Sequence, residues 1–401
     1  MNKNNRLFVL LMCVWFLPFA SVQLLPYGIP LYPIEVILLG ACPFLFDRRV
    51  INIFRTQVCR NIFIFALLLC GGTLFSFLSH PVTFTGLGQL KSFFFFPVAL
   101  WLFATPVLSE FKHRERVFWH LRWMFLAAAV CAALSVFFGG LTYDNRLSAW
   151  FHSSNLLAIF LLPGVVIWWV YILSKERVFV YEGIAWILIT GVFVATQSYG
   201  ALIAAFSTTL SFLWISRAYI YWKRPVLKIM LAGLFILSLG ILLGGGGAGI
   251  TKWKLLITGD ERSSLSSREI IWRSAWKMIE DSPLTGIGPG RFQDVYLEYQ
   301  HFYPPYLEWA VPHPHNLILS FWLSSGILGV LACFWLCFSL LYSFKRIPYE
   351  TEKALVGALL LGVFIVGLGD VPYFRAEFCF FLWLLLALLS GMSLEKKTAL
   401  S

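Results

Sequence analysis

The residues of this chain that could do chemistry are concentrated in one polar stretch, residues 247–314, and in the two residues that follow it. Arg268 lies in the first turn of a predicted helix, where backbone amides and the helix dipole also favour an anion. Its planar guanidinium could bind two phosphate oxygens at once, which lysine cannot match. His315 and Asn316 stand where apolar sequence resumes, and a histidine can accept a proton near neutral pH. These residue types, an arginine and a histidine, indicate phosphate binding and proton transfer.

A helix must position the arginine. The capping box at residues 266–269 predicts the start of an amphipathic helix that runs to about residue 280. Arg268, Trp272 and Trp276 are spaced by four, so they share one face of that helix. Arg273 adds a second cation. For Trp276 we favour anchoring at the membrane interface.

A glycine-rich stretch, residues 283–290, follows this helix. No strand in a βαβ pattern precedes it and it contains no Gly-Lys-Ser/Thr, so nucleotide binding is not indicated. A tight turn that lets the backbone approach another element explains the glycines. The dense aromatic residues between 296 and 309 suit either stacking on sugar rings or anchoring at the membrane interface.

The neighbouring His313 and His315 invite comparison with a zinc site. A zinc site needs further ligands, and neither an HExxH pattern nor a nearby cysteine supplies them. We therefore expect no metal and no other cofactor. His315 is the preferred proton acceptor because it lies where the loop re-enters the membrane.

Two cations outside the polar stretch are further candidates for substrate binding. Lys91 lies about one turn into an apolar span, so it either faces a polar cavity or extends its ammonium group to the interface. Arg146 lies in a turn near Asn155, where either a solvated loop or a site is possible. Asp370 and Arg375 flank another outer turn and could pair with each other.

The composition places these residues in a membrane protein. Hydrophobic residues make up 59% of the chain and charged residues 13%, and the mean hydropathy is +0.78; a soluble domain carries about 25% charged residues. The apolar runs predict an all-α polytopic membrane protein with about twelve transmembrane helices, although ten or eleven are also possible because four runs are short or interrupted. The predicted spans are 7–25, 29–46, 62–79, 88–108, 119–138, 155–173, 180–196, 199–215, 226–243, 316–344, 354–368 and 378–392.

The polar stretch divides the chain and has a predicted orientation. Residues 1–246 carry helices 1–9, residues 247–314 form a large loop, and residues 315–401 carry helices 10–12 and a short tail. With a cytoplasmic N-terminus, cytoplasmic segments hold 21 of the 31 Lys and Arg residues, whereas the short loops opposite hold three. The large loop therefore faces outward. The net charge of +11 reflects this topology and contact with anionic membrane lipids, so nucleic acid is not an expected partner.

The layout and three local motifs resemble the O-antigen ligase family of bacterial envelope glycosyltransferases. The motifs are residues 268–272, residues 281–292 and the pair His315-Asn316. This family moves a glycan from an undecaprenyl diphosphate carrier to an acceptor hydroxyl without a metal. The resemblance implies a site that faces the periplasm from the bacterial inner membrane.

The resemblance also implies residue roles. Arg268 would bind the donor diphosphate, His315 would be the catalytic histidine, and Arg146 would be the arginine of the fifth outer turn. Where family members often have Ser-Arg-Gly, this chain has Tyr199 in the middle position, so one phosphate-binding arginine is missing. The remaining candidate substrate-binding residues are Lys91, Trp272, Arg273 and Asn316, and Lys91 or Arg273 could replace the missing arginine.

These observations predict a metal-independent, inverting membrane glycosyltransferase that transfers a glycan from an undecaprenyl-diphosphate donor to a lipid- or sugar-linked acceptor. A polymerase of the same family would instead use a second lipid-linked repeat as acceptor. A secondary transporter would place its site near the membrane midplane between internal repeats. No repeat is evident, and the middles of the spans are almost free of charge. An assembly protein that uses the loop as a docking surface is the remaining alternative.

Overall fold

The structure, a computed structural model, describes residues 3–24, 29–46, 48–175, 177–216, 264–304, 310–346 and 351–400. The predicted ninth span and residues 247–263 of the predicted loop lie outside the described residues. The described α-helices are α1 (Lys3–Trp15), α2 (Pro33–Ala41), α3 (Arg48–Asn52), α4 (Gln57–Ser79), α5 (Phe84–Leu90), α6 (Phe96–Val107), α7 (Phe111–Ser135), α8 (Ser154–Leu173), α9 (Val180–Ala195), α10 (Tyr199–Ser216), α11 (Ser264–Asp281), α12 (Phe292–Tyr299), α13 (Leu317–Arg346), α14 (Thr351–Gly367) and α15 (Ala376–Leu400).

Seven helices in the described part of the chain are long and apolar enough to cross a membrane. They are Gln57–Ser79, Phe84–Val107, Phe111–Phe138, Ser154–Leu173, Tyr199–Ser216, Leu317–Phe344 and Ala376–Glu395, and two shorter apolar helices are Asn5–Trp15 and Val180–Ala195. No β-strand is found among the described residues beyond an isolated bridge between Leu141 and Leu147. The all-α polytopic class is thereby confirmed, and the count of twelve stays a prediction.

The chain forms two compact units. The first comprises residues 1–120, 268–348 and 367–401, and within it α13 packs along α4 and α15 packs along α6. The second comprises residues 121–267 and 349–366, and within it α8 packs against α9 and α10. Most of the candidate site residues belong to the first unit.

The polar stretch has its own apolar core in the first unit. One face of α11 and one face of α12 pack together with residues of the following segment and of α13. The buried members are Ile271, Ala275, Met278, Ile279, Ile287, Phe292, Val295, Tyr296, Val311 and Leu323. Tyr296 is 1% exposed and stacks on Phe292, so it serves this core and neither sugar stacking nor interface anchoring. Tyr306 and Trp309 lie outside the described residues.

The start of α11 differs from the prediction. Ser264 and Leu265 are already helical, so the capping box at residues 266–269 does not begin the helix, and Arg268 lies in the second turn. A capping-box sequence can also occur within a helix, because its polar side chains can then point to solvent and leave the backbone hydrogen bonds intact. The end of α11 at Asp281 agrees with the predicted stop before Pro283.

The glycine-rich turn, residues 283–290, is docked on a kink in α13. Gly326 at the kink has φ 61° and ψ −157°, a conformation that essentially only glycine adopts. Ile287 N donates to Leu323 O at 2.8 Å, and Ile327 N donates to Leu284 O at 3.2 Å. A Cβ atom on Gly286 would lie 2.4 Å from the carbonyl oxygen of Leu323. The prediction of a turn that permits close backbone approach is therefore confirmed.

Candidate functional site

His315 lies at the end of the segment that enters α13, and its backbone is unusual. Its φ is 49°, a left-handed value that non-glycine residues rarely adopt and that often marks functional sites. Trp272 on α11 donates its indole N–H to Pro314 O at 2.9 Å, which holds the segment just before the histidine. The His315 side chain is 26% exposed. The ring is therefore held in place while one part remains accessible.

Asn316 fixes the histidine from the other side. Its Oδ1 accepts hydrogen bonds from Ile318 N at 3.0 Å and Leu319 N at 3.1 Å, so it caps the N-terminus of α13. Its Nδ2 donates to Leu368 O at 3.2 Å. The amide thus joins α13 to the turn between α14 and α15. The fold uses both ends of this side chain, and the predicted substrate-binding role of Asn316 stays a prediction.

Asp370, in that turn, faces the histidine. Its Oδ1 lies 3.7 Å from His315 Nδ1, an ion-pair distance that is longer than a hydrogen bond. Its Oδ1 also accepts a hydrogen bond from Val371 N at 2.8 Å, which fixes the carboxylate. The suggested pairing of Asp370 with Arg375 is wrong, because Arg375 Nε lies 3.6 Å from Glu377 Oε1 instead. Helix α15 begins at Ala376 and turns Arg375 toward the carboxylate on its own first turn.

Arg268 reaches the same turn. A Cβ atom placed on Gly369 would lie 3.6 Å from Arg268 Nη1, so the guanidinium lies directly beside the residue that precedes Asp370. Within the part of the chain that the structure describes, Arg268 has no hydrogen bond or ion pair. A guanidinium carries five N–H donors. Arg268 therefore retains the donors that an anionic ligand would need.

Burial and neighbouring charges shift the pKa values of His313 and Asp370. The pKa of His313 is lowered to about 3, mainly by burial and also by the adjacent His315 and Arg375, while Asp370 acts in the opposite direction. Burial raises the pKa of Asp370, but its interactions with His315 and His313 outweigh that effect and leave the pKa below its usual range. At neutral pH the site therefore holds a neutral His313 beside an ionised Asp370.

Arg273 is not brought to the site. Its Nη2 lies 2.6 Å from Glu269 Oε1, one turn earlier on α11, and both side chains are about 60% exposed. Since five residues correspond to about 140° around a helix, Arg273 points away from the face that carries Arg268 and Trp272. Its predicted substrate-binding role stays a prediction.

Lys91 has partners inside the fold. It begins a π-helical turn, Lys91–Phe95, between α5 and α6. Its ammonium group contacts the carboxylate of Glu35 and the carbonyl oxygen of Pro30, and its side chain is 21% exposed whereas Glu35 is fully buried. Ser92 Oγ also donates to Glu35 Oε1 at 2.6 Å. Lys91 is thus one half of an ion pair, an arrangement that neither of the two predicted possibilities contained.

Arg146 belongs to the second unit, where its own loop holds it. Its Nη2 donates to Asn155 Oδ1 at 2.8 Å and its Nε donates to Thr196 O at 3.0 Å. Asp144 Oδ2 lies 3.8 Å from its Nη1. Tyr199, which replaces the expected arginine, begins α10 in the same unit. The role of Arg146 in substrate binding stays a prediction.

The structure also places a third potential metal ligand, Asp370, beside His313 and His315. One donor atom each from His313, His315 and Asp370 lies within 4.8 Å of the others. The sequence did not indicate this cluster because Asp370 is 55 positions from His315. The available signal was positional: both residues fall at the outer ends of predicted spans, so the predicted topology puts them on one side of the membrane.

The fold and the site define an all-α polytopic membrane protein with an arginine, a histidine and an aspartate grouped at one turn. Residues 183–334 match the family model described as O-antigen ligase, so this part of the chain is similar to that family. The family resemblance is thereby confirmed, and it implies an enzyme that transfers a glycan. The match includes Arg268, Trp272 and His315; Lys91 and Asp370 lie outside it. No curated protein matches the chain.

Proposed function

We propose that this protein is a metal-independent, inverting glycosyltransferase of the bacterial inner membrane. Its donor is a glycan on undecaprenyl diphosphate, and its acceptor is a hydroxyl of a sugar or lipid-linked glycan. The observation that carries the proposal is the meeting of Arg268 with His315 and Asp370 at residues 368–370. An anion-binding group that is unpaired among the described residues and a held proton acceptor at one turn are what such a transfer needs.

The donor side of the reaction falls to Arg268. Its guanidinium binds the diphosphate oxygens in pairs, as it has no partner in the described part of the fold. As the bond between the anomeric carbon and the phosphate oxygen breaks, the electron pair stays on the diphosphate. The cation stabilises this developing charge, which lowers the barrier to departure of undecaprenyl diphosphate.

The acceptor side falls to His315. Nδ1–H of the imidazole points to Asp370, which leaves the lone pair of Nε2 for the acceptor hydroxyl. As the acceptor oxygen attacks the anomeric carbon from the face opposite the leaving group, its proton passes to Nε2. Asp370 is a positioning residue that fixes the tautomer and stabilises the imidazolium. The distance of 3.7 Å shortens to a hydrogen bond once substrate is bound, as is common at catalytic sites.

The other candidate residues either position His315 or are weaker candidates for binding the donor. Trp272 acts on the acceptor side by holding the backbone before His315, and Asn316 does so by capping α13. Arg146, Arg273 and Lys91 are weaker candidates for binding the donor, because each already has an acidic or carbonyl partner.

In this proposal the site faces the periplasm. Reporter fusions after residues 217 and 345 should report cytoplasm and one at Gly290 the periplasm; a cytoplasmic Gly290 would refute the orientation.

Reconstitution tests the proposal directly. Purified protein in liposomes receives an undecaprenyl-diphosphate-linked glycan and one of two acceptors, a lipid-linked core sugar or a second molecule of the donor. We expect a transferred glycan with inverted anomeric configuration and undiminished rates in excess EDTA. Use of the core sugar identifies a ligase, and use of the second donor molecule identifies a polymerase. Absence of transfer with both acceptors, or activity that only added magnesium or manganese restores, would refute the proposal.

A further inference from the structure

The two histidines and the aspartate form a cluster whose donor atoms face inward. Nδ1 of His313 and Nδ1 of His315 are both buried, and neither has a hydrogen-bond partner in the part of the chain that the structure describes. The two rings lie 4.4 Å apart, centroid to centroid. Buried polar atoms without partners are costly in a fold, so they suggest a ligand that the fold is built to accept.

The donor set fits a borderline-soft transition metal. Two imidazoles and a carboxylate are the ligand types of three-residue zinc sites, which leave a fourth position open. Zinc–nitrogen and zinc–oxygen bonds of about 2.0–2.2 Å put tetrahedral donor atoms about 3.3–3.5 Å apart. The 3.7 Å between His315 Nδ1 and Asp370 Oδ1 is close to this value, and all three donor atoms lie within 4.8 Å of one another, so a shift of at most roughly 1.5 Å is needed. All three side chains lie outside the regular helices, where such shifts are easier.

We propose that Zn²⁺ binds His313, His315 and Asp370 and thereby inhibits the enzyme. The inhibition rests on the proposed function of His315, whereas the binding does not. A neutral imidazole that coordinates a metal through Nδ1 keeps its proton on Nε2. Nε2 then has no lone pair for the acceptor hydroxyl. Zinc would also take the carboxylate of Asp370 away from the histidine.

The surrounding charges determine which ions bind and how tightly. Arg268 lies beside Gly369, and Arg375 acts electrostatically on His313, so two cations oppose a divalent ion here. The site is therefore weaker than a four-ligand structural zinc site. Mg²⁺ and Ca²⁺ prefer all-oxygen ligands and gain little from two imidazoles, so they should not compete.

Co²⁺ provides a direct test because its visible absorption reports tetrahedral nitrogen and oxygen ligation. The purified full chain in detergent is titrated with Co²⁺, and Zn²⁺ is then added to displace it. His313→Ala should weaken Co²⁺ binding by at least about 10²-fold. His152→Ala is the matched control, since this exposed histidine lies in the second unit, and it should bind like the unchanged protein. Equal binding by all three proteins, or no Co²⁺ spectrum, would overturn the proposal.

Transfer assays with Zn²⁺ separate this proposal from the proposed function. Zn²⁺ should inhibit the unchanged protein and His152→Ala, and EDTA should reverse the inhibition. His313→Ala should resist zinc concentrations that inhibit the unchanged protein. If the protein binds Co²⁺ as expected but transfers no glycan, the metal site stands and the proposed function fails. If it transfers glycan and is insensitive to Zn²⁺, the inhibitory site fails and the proposed function stands.

Discussion

Two groups of charged residues in the first unit differ in whether the fold satisfies them. Around Lys91, the fold provides a carboxylate, a carbonyl oxygen and a serine hydroxyl, so the cation and the buried Glu35 are bonded to each other. Around Arg268 and His315, the guanidinium has no described partner and the imidazole Nδ1 stands 3.7 Å from its carboxylate. The first group resembles a structural ion pair, and the second resembles a site that awaits a substrate.

The difference has a physical basis. A buried charge without partners costs several kcal/mol, and a fold that pairs it recovers much of that cost whether or not a substrate is present. A partly exposed charge such as Arg268 can remain unpaired because water solvates it, and it then gains its strong interactions only when a ligand arrives. A cation in this protein is therefore a stronger candidate for substrate binding when fewer of its hydrogen-bond donors already have partners in the fold.

The largest expected effect is at His315. His315→Ala should lower turnover by about 10²–10⁴-fold while donor affinity stays nearly intact, because the lost group handles only the acceptor proton. Steady-state transfer from a lipid-linked donor measures both quantities. His313→Ala, assayed in EDTA, is the control and should lose much less. Near-normal turnover in His315→Ala, or a larger loss in His313→Ala, would place the base elsewhere.

The next largest effect is expected for Asp370→Asn, which should reduce turnover by about 10–10³-fold. The amide keeps the shape of the side chain but removes the charge that stabilises the imidazolium, and it can favour the wrong tautomer. The donor KM should change little. Asp294→Asn on the exposed side of α12 is the matched control. A loss confined to donor KM would mean that Asp370 binds substrate and does not orient His315.

Arg268→Lys should reduce kcat/KM by about 10–10²-fold, since the charge remains but paired hydrogen bonds to the diphosphate, worth about 1.5–3 kcal/mol, are lost. Both donor KM and turnover should be affected. Arg273→Lys on the same helix provides the comparison, because its guanidinium is already paired with Glu269 on an exposed face. Its expected loss is under about twofold. Equal losses in the two variants would remove the distinction between paired and unpaired cations.

Trp272→Phe should have a smaller effect, a loss in turnover of about 2–10-fold. It removes one hydrogen bond, to Pro314 O, of about 0.5–1.5 kcal/mol and loosens the segment before His315. Because the indole acts on the position of the base, the donor and acceptor KM values should stay close to normal. A large rise in the acceptor KM with normal turnover would instead show that the ring itself stacks on the acceptor sugar.

Lys91→Ala should have the least effect on catalysis and a clear effect on stability. Removing the cation leaves the buried Glu35 uncompensated, which should cost about 2–3 kcal/mol, less than the roughly 3–5 kcal/mol of a fully buried pair because Lys91 is partly exposed. The thermal unfolding of the detergent-purified protein measures this loss, and Lys91→Met combined with Glu35→Gln should recover most of it. A rise in donor KM as large as that of Arg268→Lys, with normal stability, would make Lys91 a donor-binding residue.

The local sequence predicted some features of the site well. Arg268 and Trp272 do share a helix face, residues 283–290 do form a close-approach turn, and α11 does end before Pro283. These features depend on neighbours within a few positions, where helix periodicity and backbone sterics dominate. The start of α11 was predicted too late, since a capping pattern is also tolerated within a helix.

The sequence by itself determined the class of the protein and predicted the stretch of chain that carries most of the proposed site. A mean hydropathy of +0.78 with long continuous apolar runs favours membrane-spanning helices, because each helix satisfies its backbone hydrogen bonds within its own segment. Only the tertiary structure decided the partners of the charged residues. Asp370 approaches His315 across 55 positions, and Glu35 approaches Lys91 across 56. Such pairs depend on how distant helix ends pack together, and no local pattern of residues records that packing.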